Sequence, residues 1–157
     1  MKIAMANDHA GTYLKKKIKA YLQQEGHEVV DFGTHDDNSC DLPDFVYPAA
    51  LAVAKGKCQR GIFVDGVGYG SALIANKVSG IYAAVCQDPF CAKLAREHTD
   101  SNVLCLGGKL IGELMAMEIV KVWMHTDALT DEKYRRRVNK VIEINNKQCI
   151  PVEYDED

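Results

Sequence analysis

Gly61-Ile-Phe-Val-Asp-Gly-Val-Gly-Tyr-Gly-Ser71 joins a short apolar run to an aspartate and then to a loop with glycine at every second position. The apolar run predicts a buried strand that ends beside the aspartate, and residues 71–77 predict the helix that follows. Gly66, Gly68 and Gly70 allow backbone conformations closed to other residues and let a ligand approach the main chain. Because N–H groups at the start of a helix attract anions, this loop is a candidate anion-binding site.

The spacing of these glycines matches neither of two common nucleotide-binding loops. The dinucleotide fingerprint is G-x-G-x-x-G with an acidic residue about 20 positions further on, and the phosphate loop is G-x-x-x-x-G-K-[ST]. A nucleotide-binding fold is therefore not implied. A tight turn in which the glycines serve geometry alone is an alternative that the sequence leaves open.

The length and composition are typical of one soluble domain. The chain has 157 residues, of which 47% are hydrophobic and 26% charged, and we expect a single domain over residues 1–147 and an acidic tail over residues 148–157. A net charge of −3 without a long basic run argues against nucleic acid as a partner. The first residues lack the pattern of a signal peptide and no apolar run approaches about 18 residues, so we expect a cytoplasmic protein that does not bind membranes.

Six cysteines are scattered along the chain, with no C-x-x-C pair and no matching histidine spacing. This pattern favours reduced thiols over disulfides and predicts no metal site. Cys86, Cys91 and Cys105 fall in strand or helix patterns that are more typical of core thiols than of nucleophiles.

Short apolar segments alternate with segments of helical periodicity along the chain. The predicted strands cover residues 2–6, 27–32, 60–64, 81–86 and 102–106. The predicted helices cover residues 11–24, 44–55, 71–77, 89–98, 113–125 and, as a charged C-terminal helix, 130–147. Short apolar strands separated by helices predict a parallel sheet covered on both faces, that is, an α/β protein with a three-layer α/β/α sandwich and five parallel strands.

Several polar residues are candidates for one site at an edge of this sheet. Ligands of open α/β sheets bind beyond the carboxyl ends of the strands. Asp8 and His9 follow the first predicted strand, Asp65 follows the third, His98 closes the helix before the fifth, and Lys109 comes after the fifth. We therefore expect these side chains to meet at the carboxyl edge.

Two basic residues of the charged C-terminal helix are candidates for phosphate binding. Lys133 and Arg137 are four positions apart and share a helical face, so together they can hold one dianionic group. A solvated helical face is the alternative for this pair. Alternatives also stay open for other candidates, namely helix capping for Asp8 and His9 and an interaction with the helix dipole for His98.

Several short motifs stand in unbroken order from residue 1 to about residue 140. They are Asn7-Asp8-His9-Ala10-Gly11, Asp31-Phe32-Gly33-Thr34, Asp41-Leu42-Pro43-Asp44, the glycine loop with Ala75-Asn76-Lys77, Ala95-Arg96-Glu97-His98, and Asn102-Val103-Leu104-Cys105-Leu106-Gly107. Together they resemble the type B ribose-5-phosphate isomerases and the galactose-6-phosphate isomerase subunits.

This resemblance implies a Rossmann-like fold and an aldose–ketose isomerase that acts on ribose 5-phosphate or a related pentose or hexose phosphate. It also implies a homodimer or a dimer of dimers, with active sites across the subunit interface and without a metal or organic cofactor. The family moves a proton between two carbons through an enediolate. By position in the motifs, the resemblance assigns proton transfer to Asp65, ring opening to His98 with Asp8, and phosphate binding to His9, Lys133 and Arg137. The other substrate contacts that it implies are Gly66, Val67, Gly68, Gly70, Ser71, Thr99 and Lys109.

The chain departs from the family pattern at several of these positions. Typical members carry cysteine where this chain has Asp65 and threonine where it has Val67, and Leu42, Thr99 and Lys109 replace a tyrosine, an asparagine and an arginine. A carboxylate is already ionised at neutral pH, whereas a thiol must first lose its proton, so aspartate is chemically able to act as the base. Two hypotheses follow: an active isomerase with an aspartate base, and a catalytically silent subunit that binds sugar phosphate beside an active paralogue, as in galactose-6-phosphate isomerase.

Overall fold

A computed structural model of the protein describes residues 1–153 and contains a sheet of five parallel strands. The strands are β1 (Lys2–Asn7), β2 (Glu28–Asp31), β3 (Arg60–Asp65), β4 (Ala83–Val85) and β5 (Val103–Gly107). They lie in the order β2-β1-β3-β5-β4, so β1, β3 and β5 form the centre of the sheet. These three strands are buried along almost their whole length, as expected where helices cover both faces.

Within the described residues, six α-helices surround the sheet. They are α1 (Thr12–Gln24), α2 (Pro43–Ala54), α3 (Tyr69–Ala75), α4 (Pro89–Thr99), α5 (Glu113–His125) and α6 (Glu132–Gln148). Helices α1, α4 and α5 pack on one face of the sheet, in a core that contains Ile62 and Trp123. Helices α2 and α3 pack on the other face, in a core that contains Phe63. Ile62 and Phe63 are neighbours on β3 and point to opposite faces, so the predicted three-layer α/β/α sandwich is confirmed.

Strand β4 is shorter than the predicted strand 81–86, because a turn and side-chain hydrogen bonds hold the residues before it. The side chain of Asn102 accepts a hydrogen bond from the N–H of Tyr82 at 2.8 Å and donates one to the carbonyl of Gly80 at 2.8 Å. The N–H of Ile81 donates to the carbonyl of Val78 at 3.1 Å. The last of these bonds closes a turn over residues 78–81, and the two bonds of Asn102 hold the residues that follow it, which an apolar pattern alone does not reveal.

Helix α6 extends along the molecule without entering either core. None of its residues is buried, and Val141 and Ile144 are 50% and 61% exposed. Beyond α6, Val152 packs against the core that contains Phe63, while residues 154–157 of the predicted acidic tail lie outside the described residues. Across residues 1–153, every helix is too short or too polar to cross a bilayer.

A buried ion pair ties α1 to the segment after β2. The ammonium group of Lys15 donates to Asp31 at 2.9 Å and to the carbonyl of Thr34 at 2.8 Å, and Lys19 also binds Asp31 at 3.0 Å. Burial works against the charge on Asp31, but the hydrogen bonds from the two lysines outweigh it and hold the pKa of this carboxyl below its usual value. The pair therefore fixes the segment that follows β2 beside the ends of the central strands.

Candidate active site

Asp65 organises the glycine loop through four hydrogen bonds. Its Oδ1 accepts from the N–H of Val67 at 2.8 Å and from the N–H of Gly68, and its Oδ2 accepts from the N–H of Ser71 at 2.7 Å and from the Ser71 hydroxyl at 2.9 Å. The side chain lies at the end of β3 and Asp65 is only 3% exposed. Three loop N–H groups that the sequence assigned to a bound anion are therefore used by a carboxylate of the protein itself.

The loop needs glycine at two positions for different reasons. Gly68 has a φ of +86°, and a Cβ atom there would lie 3.1 Å from Cγ1 of Val85 and 3.2 Å from the carbonyl carbon of Leu106. A Cβ atom at Gly70 would lie 2.9 Å from Cδ2 of Leu42 and 3.1 Å from Oδ2 of Asp65. Gly68 thus combines a left-handed backbone with close packing, whereas Gly70 leaves space beside the carboxylate.

Replacing Gly68 with alanine should lower the free energy of unfolding by about 2 kcal/mol, since left-handed backbone strain adds to the contacts with β4 and β5. Gly56→Ala is the matched control, because Gly56 has a φ of +72° but no atom within 4 Å of its added Cβ. The free energy of unfolding of both variants is measured by urea denaturation, and the difference between their losses gives the contribution of packing around Gly68. Equal losses in the two variants would contradict the close packing of the loop.

Asp8 and His9 lie beside this loop, at the end of β1. Oδ1 of Asp8 accepts a hydrogen bond from the N–H of Ala10 at 2.9 Å and so caps the short 3₁₀ turn before α1. Nδ1 of His9 lies 3.9 Å from the thiol sulfur of Cys40. Both Asp8 and His9 are half-buried, and the capping role that the sequence left open for Asp8 is observed.

The segment after β5 completes the same edge. The N–H of Gly108 donates to the carbonyl of Asp65 at 2.7 Å, and the N–H of Lys109 donates to the carbonyl of Gly66 at 3.0 Å. A Cβ atom at Gly108 would lie 3.0 Å from the carbonyl oxygen of Ala10, so the ends of β1, β3 and β5 meet closely here. We call Asp8, His9, Asp65, Lys109 and the glycine loop the carboxyl-edge cluster.

His98 does not lie at the carboxyl edge, contrary to the expectation from the sequence. Helix α4 begins after the end of β4 and returns the chain to the start of β5, so its last turn lies at the opposite, amino edge of the sheet. A cavity there is lined by His98, Thr99 and Arg137 together with Tyr82 and Ser101, which lie close to the starts of β4 and β5. His98 precedes β5 in the sequence and therefore lies near the amino end of that strand, whereas Asp8, His9 and Lys109 follow strands and lie near their carboxyl ends.

The two basic residues of α6 lie with His98 at this amino edge. The rings of His98 and Tyr134 stack with centroids 4.6 Å apart and an angle of 14° between their planes. Nζ of Lys133 lies 4.8 Å, and Cζ of Arg137 lies 5.7 Å, from the centroid of the Tyr134 ring. We call His98, Thr99, Lys133, Tyr134 and Arg137 the amino-edge cluster. Tyr134 was not a candidate from the sequence. Its position between the basic residues Lys133 and Arg135 was the only feature of the sequence that could have pointed to it.

Cys86 and Cys105 do not replace the cysteine that typical family members carry at the position of Asp65. Burial raises the pKa of the Cys86 thiol to about 12, with Cys91 and Asp88 acting in the same direction, and burial also raises the pKa of Cys105. Such thiols stay protonated at neutral pH and are poor bases. Within residues 1–153, no three His, Cys, Asp or Glu side chains are placed to hold a metal ion together.

Comparisons with known proteins agree with this arrangement of fold and motifs. Residues 3–141 match the family model described as Ribose/Galactose Isomerase. The chain is 38% identical to ribose-5-phosphate isomerase B of Escherichia coli (strain K12), over 94% of this chain and 98% of that protein. It is 39% identical to a D-erythrulose-4-phosphate isomerase of Pectobacterium atrosepticum, over 81% and 84% of the two chains. The structure of Clostridium thermocellum ribose-5-phosphate isomerase B is similar with a TM-score of 0.90 and 44% identity, over 94% of this chain and 99% of that one.

Proposed function

The chain belongs to the ribose/galactose isomerase family, and from this premise we propose that it interconverts the aldose and ketose forms of ribose 5-phosphate or a closely related sugar phosphate. The observation that carries this proposal is the carboxyl-edge cluster, in which Asp8 and His9 lie beside the glycine loop at the ends of neighbouring strands. Because phosphorylated sugars are metabolised inside cells, a cytoplasmic location goes with the proposal.

The reaction moves one proton between adjacent carbons. A base removes the hydrogen on the second carbon of the open-chain aldose and leaves an enediolate. The proton then returns to the first carbon, and the hydroxyl hydrogen of the second oxygen passes to the first oxygen. The second oxygen thereby becomes the ketone oxygen and the first becomes an alcohol. Negative charge develops on oxygen in the enediolate, so hydrogen-bond donors and cations near that oxygen lower the barrier.

Asp65 is the proposed base, and it must release one of its hydrogen bonds before it can accept a proton. Each carboxylate oxygen already accepts two hydrogen bonds, so a proton can enter only where one of them is released. The Ser71 hydroxyl is the donor best able to leave, because it turns about a single bond whereas the backbone N–H groups are fixed by the loop. Its rotation frees one lone pair of Oδ2, the oxygen that a Cβ atom at Gly70 would approach to 3.1 Å.

A complete site requires two copies of the chain. The carboxyl-edge cluster and the amino-edge cluster lie at opposite edges of one sheet, so a single copy does not bring His98, Lys133 and Arg137 to Asp65. We therefore propose a dimer, or a dimer of dimers, in which the amino-edge cluster of one copy faces the carboxyl-edge cluster of the next. The unburied residues of α6, with Val141 and Ile144 exposed, provide an apolar surface for this association.

A second candidate is a catalytically silent subunit that binds sugar phosphate beside an active paralogue. The four hydrogen bonds on Asp65 are compatible with it, because a carboxylate held in this way can serve to fold the loop alone, whereas relatives named as isomerases support the first candidate. The phosphate-binding candidates His9, Lys133 and Arg137 are equally compatible with binding and with catalysis.

Solvent exchange tests the proposal against this second candidate. The purified homomer is incubated in heavy water with four-, five- and six-carbon aldose phosphates, and deuterium uptake at the second carbon is followed by NMR. We expect uptake with at least one sugar phosphate and none with the unphosphorylated sugar. A homomer that binds sugar phosphate but gives no exchange across the panel contradicts the isomerase and supports the silent subunit.

A further inference from the structure

Tyr134 contacts three of the proposed substrate-binding residues at once. Its ring stacks on His98 with a centroid separation of 4.6 Å, and the cationic groups of Lys133 and Arg137 lie 4.8 Å and 5.7 Å from its centre. Both distances are within the range of about 6 Å over which a cation is attracted to an aromatic face. Tyr134 is half-buried, whereas Lys133 and Arg137 are exposed.

These contacts fix groups that are otherwise free to move. Lysine and arginine side chains lose about 2 kcal/mol of rotamer entropy when they are held in one conformation, so a surface that orders them beforehand favours ligand binding. A nearly parallel stack also restricts the plane of the His98 imidazole, and hence the directions in which its nitrogen atoms point.

The stack also fixes the first turn of α6 against the last turn of α4. Helix α6 has no buried residue that would set its position through the core. The N–H of Leu129 donates to the carbonyl of Glu97 at 3.0 Å, which holds the segment before α6 near His98. With Tyr134 in the first turn of α6, the stack sets the distance between the imidazole and the two cations.

We infer that Tyr134 is a positioning residue that orients His98 for opening the sugar ring and orders Lys133 and Arg137 for the phosphate, an inference that rests on the proposed function. The aromatic face carries this role, since each of the three contacts is to the ring. Tyr134→Phe keeps that face and removes only the hydroxyl, whereas Tyr134→Leu removes the face and keeps an apolar side chain.

The five-carbon sugar pair separates ring opening from proton transfer. Ribose 5-phosphate is mostly cyclic, whereas ribulose 5-phosphate cannot close a five-membered ring because its fifth oxygen carries the phosphate. Conversion of the aldose therefore requires ring opening, but exchange of the first-carbon hydrogen of the ketose with heavy water does not. The test is to measure the rate of aldose conversion and the rate of ketose exchange, at saturating and at low sugar, for the wild type, Tyr134→Phe and Tyr134→Leu.

We expect Tyr134→Leu to slow conversion of ribose 5-phosphate about ten-fold more than it slows exchange into ribulose 5-phosphate, and to raise KM for both sugars. Tyr134→Phe should stay within about two-fold of the wild type in both assays. Equal losses in the two assays at saturating sugar, or a Tyr134→Leu protein that matches the wild type, would overturn this inference and leave the proposed function unaffected. A wild type that leaves both sugars unchanged would overturn the proposed function for five-carbon sugars, and this inference with it.

Discussion

Asp65→Asn should lower the rate of deuterium exchange into the sugar phosphate by about a thousand-fold, the typical contribution of a positioned base. Asparagine has the shape of aspartate but cannot accept the proton from carbon. It also places an NH2 group where Asp65 presents an oxygen, so loop donors would face another donor. We therefore expect an additional loss of about 2 kcal/mol in the free energy of unfolding, measured by urea denaturation.

Ser71→Ala is the matched control for this prediction. It removes one donor to Oδ2 of Asp65 and leaves the three backbone donors in place. If Asp65 is the base, the variant keeps an available lone pair and its exchange rate should stay within about ten-fold of the wild type. An Asp65→Asn protein that retains more than about a tenth of the wild-type rate would show that another group removes the proton.

In the proposed dimer the two clusters of each site come from different copies of the chain, so mixing two inactive variants should restore activity. Asp65→Asn disables the carboxyl-edge cluster and His98→Asn disables the amino-edge cluster. In a mixed dimer, one of the two sites combines the intact cluster of each chain, and the other site carries both defects. Random pairing of equal amounts makes half of the dimers mixed, so we expect about a quarter of the wild-type activity.

Co-expression with two different affinity tags allows the mixed dimer to be purified and its activity measured directly. The matched control combines Asp65→Asn with Asp8→Asn, since both changes fall in the carboxyl-edge cluster and no pairing yields an intact site. Activity that does not recover with Asp65→Asn and His98→Asn would contradict a site shared between two copies of the chain.

The fold could be predicted from the sequence because its signals are local. Burial on both faces makes β1, β3 and β5 apolar, and the helices between them show one apolar face each. The start of β4 was harder to predict from the sequence. The side chain of Asn102 bonds Gly80 and Tyr82 before this strand, and only the folded chain brings these residues together.

The candidate site was predictable in part. The positions of Asp8, His9, Asp65 and Lys109 follow from chain order, because each comes directly at or after the end of a strand. The hydrogen bonds that occupy Asp65 could not be predicted, since they depend on which way the N–H groups of the loop turn. The stack of Tyr134 on His98 joins two helices that are distant in sequence, and a pattern along the chain does not reveal it.

Helix α6 has a consequence for how the protein behaves at low concentration. This helix of 17 residues has no buried side chain, and its own chain holds it through contacts such as the stack of Tyr134 on His98 and the hydrogen bonds of Asn145 with Ser79 and Gly80. Isolated helices of this length are only marginally stable in water. In the proposed dimer, a chain that separates on dilution loses the partner that completes its site and also the partner's contacts with the exposed residues of α6. Specific activity should then fall as the protein is diluted, and recover when it is concentrated again.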